Sequence, residues 1–306
     1  MNLKVSEIVS NWDLAVIYIH VISNKVSIFT NVDGKKYVLK QKEAGLKEII
    51  KEHELLNYLN SKNISVQIPL INKNGEDFCE YKEEFFAIYE YFEGDIITPK
   101  ECLEGGHFPK LFGEAIAKLH KAMETFKDEH DFTKRNLYNN VFGWAVNVIN
   151  SNKKINELNL IFEEIEADVK NISEVLPKQL IHRDPHTSNF IMKHNELVGI
   201  IDFEIAEESI RIFDVCYCAT SILNEVFSDH TLRQDWIAFV GELFNRYSSI
   251  NQLSDVEANS IWHTMLCIQT IFMAYFIDYP NLFDSNKEMF LWIYENRNHI
   301  EKKIVI

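Results

Sequence analysis

Residues 180 to 203 read LIHRDPHTSNFIMKHNELVGIIDF, and three side chains in this stretch are of the types, and in the order, that phosphoryl transfer requires. Asp184 is the candidate base, able to accept a hydroxyl proton. Asn189, five residues later, offers a neutral oxygen to a magnesium ion. Asp202, thirteen residues further on at the end of the apolar run LVGII, offers a charged one. One carboxylate that takes a proton, with an Asn and a second Asp that hold Mg²⁺ against nucleotide phosphates, is the catalytic half of a kinase site. Alone, each of these residues would be read as a turn or cap. The apolar flanks QLIH, NFIM and VGIID predict a loop followed by two short strands, which sets the polar groups at strand ends beside a packed core.

The rest of the chain must position these groups. From Ala15 to Lys42 the residues are β-branched and aromatic, with turn signals at Ser23 to Lys25 and at Asp33 and Gly34, which predicts three antiparallel strands. LKEIIKEHELLNYLNSKN carries a helical apolar stripe, Leu46, Ile49, Ile50, Leu55, Leu56 and Leu59, that ends in SKN. IPLINKNGEDFCEYKEEFFAIYEYF predicts a further hairpin with Asn74 and Gly75 at its tip. Beyond Glu93 and Gly94 the patterns turn helical, which places a boundary near Glu90 to Asp95. The expected organisation is α+β and two-lobed: residues 1–92 as a nucleotide-binding lobe with an antiparallel sheet and one helix, and residues 93–306 as a larger, mostly helical catalytic and acceptor-binding lobe.

The 306 residues, 46% of them apolar, suffice for two cores. With 46 acidic against 31 basic side chains the formal charge is −15, which argues against a nucleic-acid or anionic-membrane surface and favours a cationic substrate. Five cysteines, odd in number and without metal-type spacing, predict free thiols in a reducing, cytoplasmic compartment. MNLKVSEIVSNWDL reads as a short amphipathic helix and not as a signal peptide. The longest apolar stretch, Met265 to Ile277, is too short to span a bilayer and predicts a core helix.

The order and spacing of the loop resemble the aminoglycoside phosphotransferase and choline kinase superfamily, whose members share the two-lobed protein-kinase fold and phosphorylate small molecules. HRDPHTSN is similar to that family's catalytic loop, including its second His, here His186. The resemblance implies Asp184 as base, Asn189 and Asp202 as metal ligands, His182 as a support of the loop, and Asp214 in RIFDVCY as its brace from below. Arg183 departs from the pattern, since small-molecule kinases commonly carry Gly there and protein kinases carry Arg.

The same resemblance implies a nucleotide side. DGKKYVLK resembles the family's glycine turn followed by Tyr, Val, Leu and a basic residue, so Lys40 is the candidate for the α- and β-phosphates, with Lys35, Lys36 and Lys42 as competitors. Strand alternation puts Lys40 on the face of Val38. Glu52 in EHELLNYL resembles the Glu that fixes this lysine, ahead of Glu48 and Glu54. AIYEYFEG resembles the adenine-binding strand, which points to Glu90, Tyr91 and Phe92. VISNKVS lacks the glycines of a protein-kinase phosphate loop, and Ser23 and Asn24 fit the Ser and Asn turn of aminoglycoside kinases, where backbone N–H groups form an anion nest. Glu204 is an additional carboxylate candidate for the metal. For the acceptor pocket, Tyr138, Trp144, Trp262, Tyr275 and the acidic run FEEIEADV are available in residues 100 to 170 and in the C-terminal helices. The expected activity is ATP- and Mg²⁺-dependent transfer of the γ-phosphoryl group to a hydroxyl of an aminoglycoside-, choline- or homoserine-like molecule. The competing readings are a protein serine/threonine kinase, which the missing DFG and APE oppose, and a catalytically silent nucleotide-binding protein.

Overall fold

The computed structural model describes residues 2–127 and 132–305. Its strands are β1 (Val16–Val21), β2 (Val26–Asn31), β3 (Lys36–Lys42), β4 (Cys79–Tyr81), β5 (Glu84–Glu90), β6 (Asp95–Ile96), β7 (Lys178–Ile181), β8 (Phe190–Lys193), β9 (Glu196–Ile200) and β10 (Glu207–Ile210). Its helices are α1 (Asn2–Val9), α2 (Leu46–Ser61), α3 (Pro99–Glu104), α4 (Phe108–Met123), α5 (Leu137–Asn140), α6 (Val146–Asn152), α7 (Asn156–Val175), α8 (Ile212–Val226), α9 (His230–Ile250), α10 (Asp255–Tyr275), α11 (Pro280–Glu295) and α12 (Arg297–Glu301). They fall into two compact units, residues 2–95 with 191–204, and residues 96–127 with 132–190 and 205–305. The protein is thus mixed α+β, with an antiparallel N-terminal sheet and a helical C-terminal part.

The first unit is built on an antiparallel sheet in the order β1-β2-β3-β5-β4. Alternation along β2, β3 and β5 turns Phe29, Tyr37, Leu39, Phe86 and Ile88 to one face, where Val5, Ile8 and Val9 of α1 and Trp12 complete an apolar core. Trp12 also donates its indole N–H to the carbonyl of Leu70 at 2.8 Å. The β2–β3 turn is closed by Asn31, whose Oδ1 accepts the N–H groups of Asp33 and Lys35, with Gly34 at a φ of 80°. Residues 191–204 join this unit through a parallel bridge between Val66 and Ile200 and the hydrogen bond from Ile200 N–H to Ser65 at 2.9 Å.

The last hairpin corrects the sequence expectation. Strands β4 and β5 turn at Lys82 and Glu83, both with positive φ (53° and 64°), the geometry that matches the twist of a two-residue hairpin. Asn74 and Gly75 make a separate turn upstream, where Asn72 Oδ1 accepts the N–H groups of Asn74 and Glu76. An Asn-Gly pair encodes a willingness to take positive φ, not which segment will pair beyond it.

In the second unit α4 buries Phe112, Ala115, Ile116, Leu119 and Met123 at helical spacing. It approaches α9 so closely at Gly113 that a Cβ there would lie 2.4 Å from the Leu243 carbonyl oxygen. Helix α10 opens with a capping box, Ser254 and Glu257 exchanging bonds, and its interior from Ser260 to Thr270 is buried throughout. The apolar stretch singled out in the sequence is therefore core from Met265 to Thr270, with Tyr275 near its end exposed, and among the described residues no helix is long and apolar enough to cross a membrane. All five cysteines are buried and free.

Candidate active site

In the first unit, alternation along β3 places Lys36, Val38, Lys40 and Lys42 on one face, opposite the α1 core. Lys42 is the lysine paired with the helix. Its ammonium, fully buried, lies 2.6 Å from Glu52 of α2 and 2.7 Å from Glu204. The expected Lys40–Glu52 pair does not form. Lys40 instead lies 3.4 Å from Asp202, with 14% of its side chain exposed. Burial alone would lower the Lys42 pKa, but the two carboxylates outweigh it and hold the group above its ordinary value, so it stays charged. Glu204, weighed as an added metal ligand, is engaged by this ammonium.

Tyr89 of β5 stands between the two lysines, its ring centroid 5.8 Å from the Lys40 nitrogen and 6.0 Å from that of Lys42. Its hydroxyl meets His53 Nε2 at 3.0 Å, and His53 Nδ1 faces Asp77 at 3.0 Å. Burial, reinforced by Glu52 and Glu204, drives the phenol pKa well upward, so Tyr89 remains a neutral donor. Sequence reading missed Tyr89 and His53. Both sit at ordinary core positions of a strand and a helix, and no local signal marks them.

The remaining nucleotide-side candidates are placed as follows. Ser23 Oγ accepts the N–H groups of Lys25 and Val26, which fixes the shape of the turn that also holds Asn24. Glu90 closes β5, and its carbonyl accepts from Gln67 Nε2 at 3.1 Å; the Tyr91 N–H donates to Lys36. Phe92 lies so near Gly199 that an added Cβ would come within 2.2 Å of its ring, which explains a glycine within β9. Asp202 has a φ of 71°, a conformation that Asp adopts more readily than most side chains.

In the second unit the Asp184 loop follows β7 and is tied down by Asp214. That carboxylate is fully buried and accepts the backbone N–H groups of His182 at 2.8 Å and Arg183 at 2.9 Å. It also meets His120 Nε2 at 3.0 Å, while His120 Nδ1 contacts the Tyr247 hydroxyl at 2.8 Å. His182, buried, accepts the N–H of Asp184 at Nδ1. Arg183 has a φ of 78°, in the left-handed region that glycine adopts more readily than arginine. Three contacts offset its strain: the Asp214 bond, an ion pair to Glu207 at 2.8 Å, and stacking on Phe213 at 4.0 Å.

Asp184 itself is held by several donors. His186 Nε2 lies 3.4 Å from its Oδ2, and His186 Nδ1 meets Ser188 at 2.7 Å. Tyr217 of α8 hydrogen-bonds the same carboxylate. Partial burial would raise the Asp184 pKa, but the His186 and Tyr217 bonds and the nearby imidazoles outweigh it and leave the pKa below the usual carboxylate value. Asn189 donates its amide to the Asp184 carbonyl at 2.8 Å and to Oδ2 at 3.3 Å. That orients the amide and makes Oδ1 the atom Asn189 can offer to a cation.

A cavity of about 260 Å³ opens beside this carboxylate, with His186 and Tyr217 in its wall. The other lining comes from Thr187 of the loop and from α8, α10 and α11, including Glu225, Gln269 and Phe272, with Phe276 just past the end of α10. None of the acceptor-side residues considered from sequence lines it. Tyr138 is bonded to Glu166, Trp262 is core with its N–H on the Ile293 carbonyl, and Trp144 and Tyr275 are exposed elsewhere. The acidic run lies on α7.

An antiparallel sheet with a buried lysine–glutamate pair, followed by a helical part that carries an Asp and Asn loop, defines a protein-kinase-like phosphotransferase architecture. The sequence model of the phosphotransferase enzyme family (APH) matches residues 20–251, and the chain belongs to that family. It is 27% identical over 215 residues to a homoserine kinase of Agrobacterium fabrum, a match that covers 68% of this chain and 62% of that one. The match to the curated relatives thus spans about three-fifths of their length. Among solved structures, the amicoumacin kinase hAmiN in complex with AMP-PNP, Ca²⁺ and Ami superposes with a TM-score of 0.71 at 14% identity, over 99% of this chain and 93% of that one. The GDP complex of wild-type aminoglycoside 2′-phosphotransferase-IIIa gives 0.71 at 14% identity, over 96% and 99%. At that identity the likeness is one of fold.

Proposed function

We propose that the chain is an ATP- and Mg²⁺-dependent kinase that transfers the γ-phosphoryl group to a hydroxyl of a small molecule. The observation that carries this is Asp184, an ionised carboxylate oriented by His186, Tyr217 and Asn189, the first two of which line a cavity. Asp184 takes the proton of the acceptor hydroxyl as the new O–P bond forms; the bond from γ-phosphorus to its bridging oxygen breaks and ADP leaves. A carboxylate with a depressed pKa suits a loose transition state, in which the proton is surrendered late.

Lys40 serves the α- and β-phosphates. It is the partly exposed lysine of the β3 pair, and its contact with Asp202 is long enough to be exchanged. Glu90, Tyr91 and Phe92 border the adenine. Ser23 and Asn24 form the turn over the phosphates, with the Ser23 hydroxyl holding the amides of Lys25 and Val26 in place. For Mg²⁺ the donor types suit, since Asn189 would offer one neutral hard oxygen and Asp202 one charged. Mg²⁺ ordinarily takes one or two protein oxygens and completes its shell with phosphate and water. When bound it would neutralise charge on the phosphate oxygens. Arg183 lends no separate support to a protein kinase, since Glu207 and Phe213 account for its guanidinium.

The test is consumption of Mg·ATP across amino alcohols, sugars, nucleosides and aminoglycosides, with the product checked for one added phosphoryl group; no transfer to any of them would overturn the assignment. Asn189→Ala and Asp202→Ala should each raise the Mg²⁺ concentration needed for half-maximal turnover, by about tenfold or more for the charged ligand. Unchanged magnesium curves in both variants would remove them from the metal site.

Tyr217→Phe bears on the base. Asp184 is active when ionised, so activity falls as pH drops through its pKa. Tyr217 lowers that pKa, and its loss should move the acid limb of kcat/KM to higher pH. A limb that stays in place would show that the Tyr217 bond does not act on the titrating group.

A further inference from the structure

If Asp184 is the base proposed above, the groups that hold its partner Tyr217 bear on the reaction. We propose that Arg183, Glu207 and Phe213 are positioning residues: Glu207 fixes the Arg183 guanidinium on the Phe213 ring, and that ring sets the Tyr217 phenol that hydrogen-bonds Asp184.

The relay starts in the pairing of β10 with β7, which sets Glu207 opposite Ile181, the last residue of β7. The Glu207 carboxylate is buried and has a guanidinium at each oxygen. Arg135 donates from Nε to Oε2 at 2.6 Å, and Arg183 Nε lies 2.8 Å from Oε1. Arg135 is itself tied to the strand, because its N–H donates to the Glu208 carbonyl at 2.9 Å and the Glu208 N–H donates to the Thr133 carbonyl at 2.8 Å. A buried carboxylate between two cations resists displacement, since moving it would strip an oxygen of its partner where solvent cannot replace it. The Arg183 guanidinium is therefore held, and it lies 4.0 Å from the centroid of the Phe213 ring. Phe213 and Tyr217 are one turn apart on α8 and stack with centroids 6.2 Å apart at 21°. Tyr217 also meets Phe272 of α10 at 5.8 Å. Burial, reinforced by Asp184, raises the Tyr217 pKa, so the phenol keeps its proton and donates a hydrogen bond to that carboxylate.

The side chain of residue 183 is separable from its backbone. Asp214 holds the Arg183 N–H, a bond that any residue except proline would make, and the φ of 78° suits glycine better than arginine. Loss of the guanidinium therefore removes the stack on Phe213 and leaves the anchor of the loop in place. A purely structural ion cluster would have no effect that passes through Tyr217, and this difference makes the two roles distinguishable.

The experiment uses the full chain with Mg·ATP and whichever of ethanolamine, L-homoserine and kanamycin is turned over fastest. The double variant Arg183→Gly with Glu207→Gln removes the guanidinium without leaving a charged carboxylate buried beside Arg135 alone. It is expected to lower kcat about tenfold, the scale of one lost hydrogen bond to a charged group, with the KM for ATP nearly unchanged. Phe213→Leu, which stays apolar but has no ring, should do the same. In a Tyr217→Phe background each change should cost little more, because contacts that act in one chain are not additive. Arg183→Lys keeps a charge for Glu207 but not the planar stacking group, so it should fall between wild type and the double variant. A structural role predicts instead losses that follow thermal stability and multiply with that of Tyr217→Phe. Independently of turnover, the ring resonance of isotope-labelled Tyr217, assigned through Tyr217→Phe, should move in the double variant. Unchanged kcat, full additivity with Tyr217→Phe, or an unmoved resonance would overturn the relay and leave the kinase assignment standing. Absence of transfer to these acceptors and to the wider screen would overturn the kinase assignment, and the resonance alone would then decide whether the relay exists.

Discussion

Asp184→Asn is expected to lower acceptor phosphorylation by about 10² or more while leaving Mg·ATP affinity nearly unchanged. Asn keeps the shape of the side chain but cannot take a proton. The loop should hold its conformation in this variant, because the bonds that tie it down, from the N–H groups of His182 and Arg183, run to Asp214 and not to Asp184. Single-turnover transfer together with equilibrium nucleotide binding separates the two effects, and wild-type turnover in the variant would remove Asp184 from the role of base. Asp214→Asn is the informative contrast. It weakens a buried carboxylate that serves two amides and the His120 ring, so its loss should appear in unfolding as well as in turnover.

Lys42→Ala is expected to destabilise the first unit by about 3–5 kcal/mol, the range seen when one partner of a buried ion pair is removed. The cation sits within 2.7 Å of two carboxylates, and the side chain of Glu52 is 8% exposed, so deletion leaves the Glu52 carboxyl group buried without its ammonium partner. Lys40→Ala should behave differently. Its contact with Asp202 is longer and both side chains are more exposed, so the fold should tolerate the change while the Michaelis constant for ATP rises. Denaturant unfolding of both variants, beside their nucleotide KM values, tests the division of labour. The reverse pattern, a stable Lys42→Ala and an unfolded Lys40→Ala, would refute the pairing described here.

Legibility of the site followed the range of the interactions involved. The HRDPHTSN loop reads directly because Asp184 and Asn189 lie five residues apart, and the Asn189 amide does reach back to Asp184 in the structure. Tyr217 and Gln269 left no comparable trace. Each occupies an apolar or neutral position on a helix whose pattern announces only that it is buried, and what it faces depends on how α8 and α10 pack. The same limit explains the misplaced hairpin tip. Asn74-Gly75 has the stronger turn chemistry, yet pairing begins after it, and Lys82 and Glu83 take the left-handed positions because the register of β4 on β5 requires them.

By itself the sequence determined the elements whose signal is local: the strands from residue 15 to 42, the stripe of α2, the core character of α10 and the HRDPHTSN loop. Only the tertiary structure decided which groups meet. Period-2 alternation puts Lys40 and Lys42 on the same face of β3 and cannot choose between them. The choice falls to the placement of α2 and of residues 201–204 over that face, which brings Glu52 and Glu204 to Lys42 and leaves Asp202 to Lys40. A residue's own neighbours along the chain set its face and its backbone angles. Its partner is set by the packing of elements tens of residues away, where the desolvation of one buried charge outweighs any local preference.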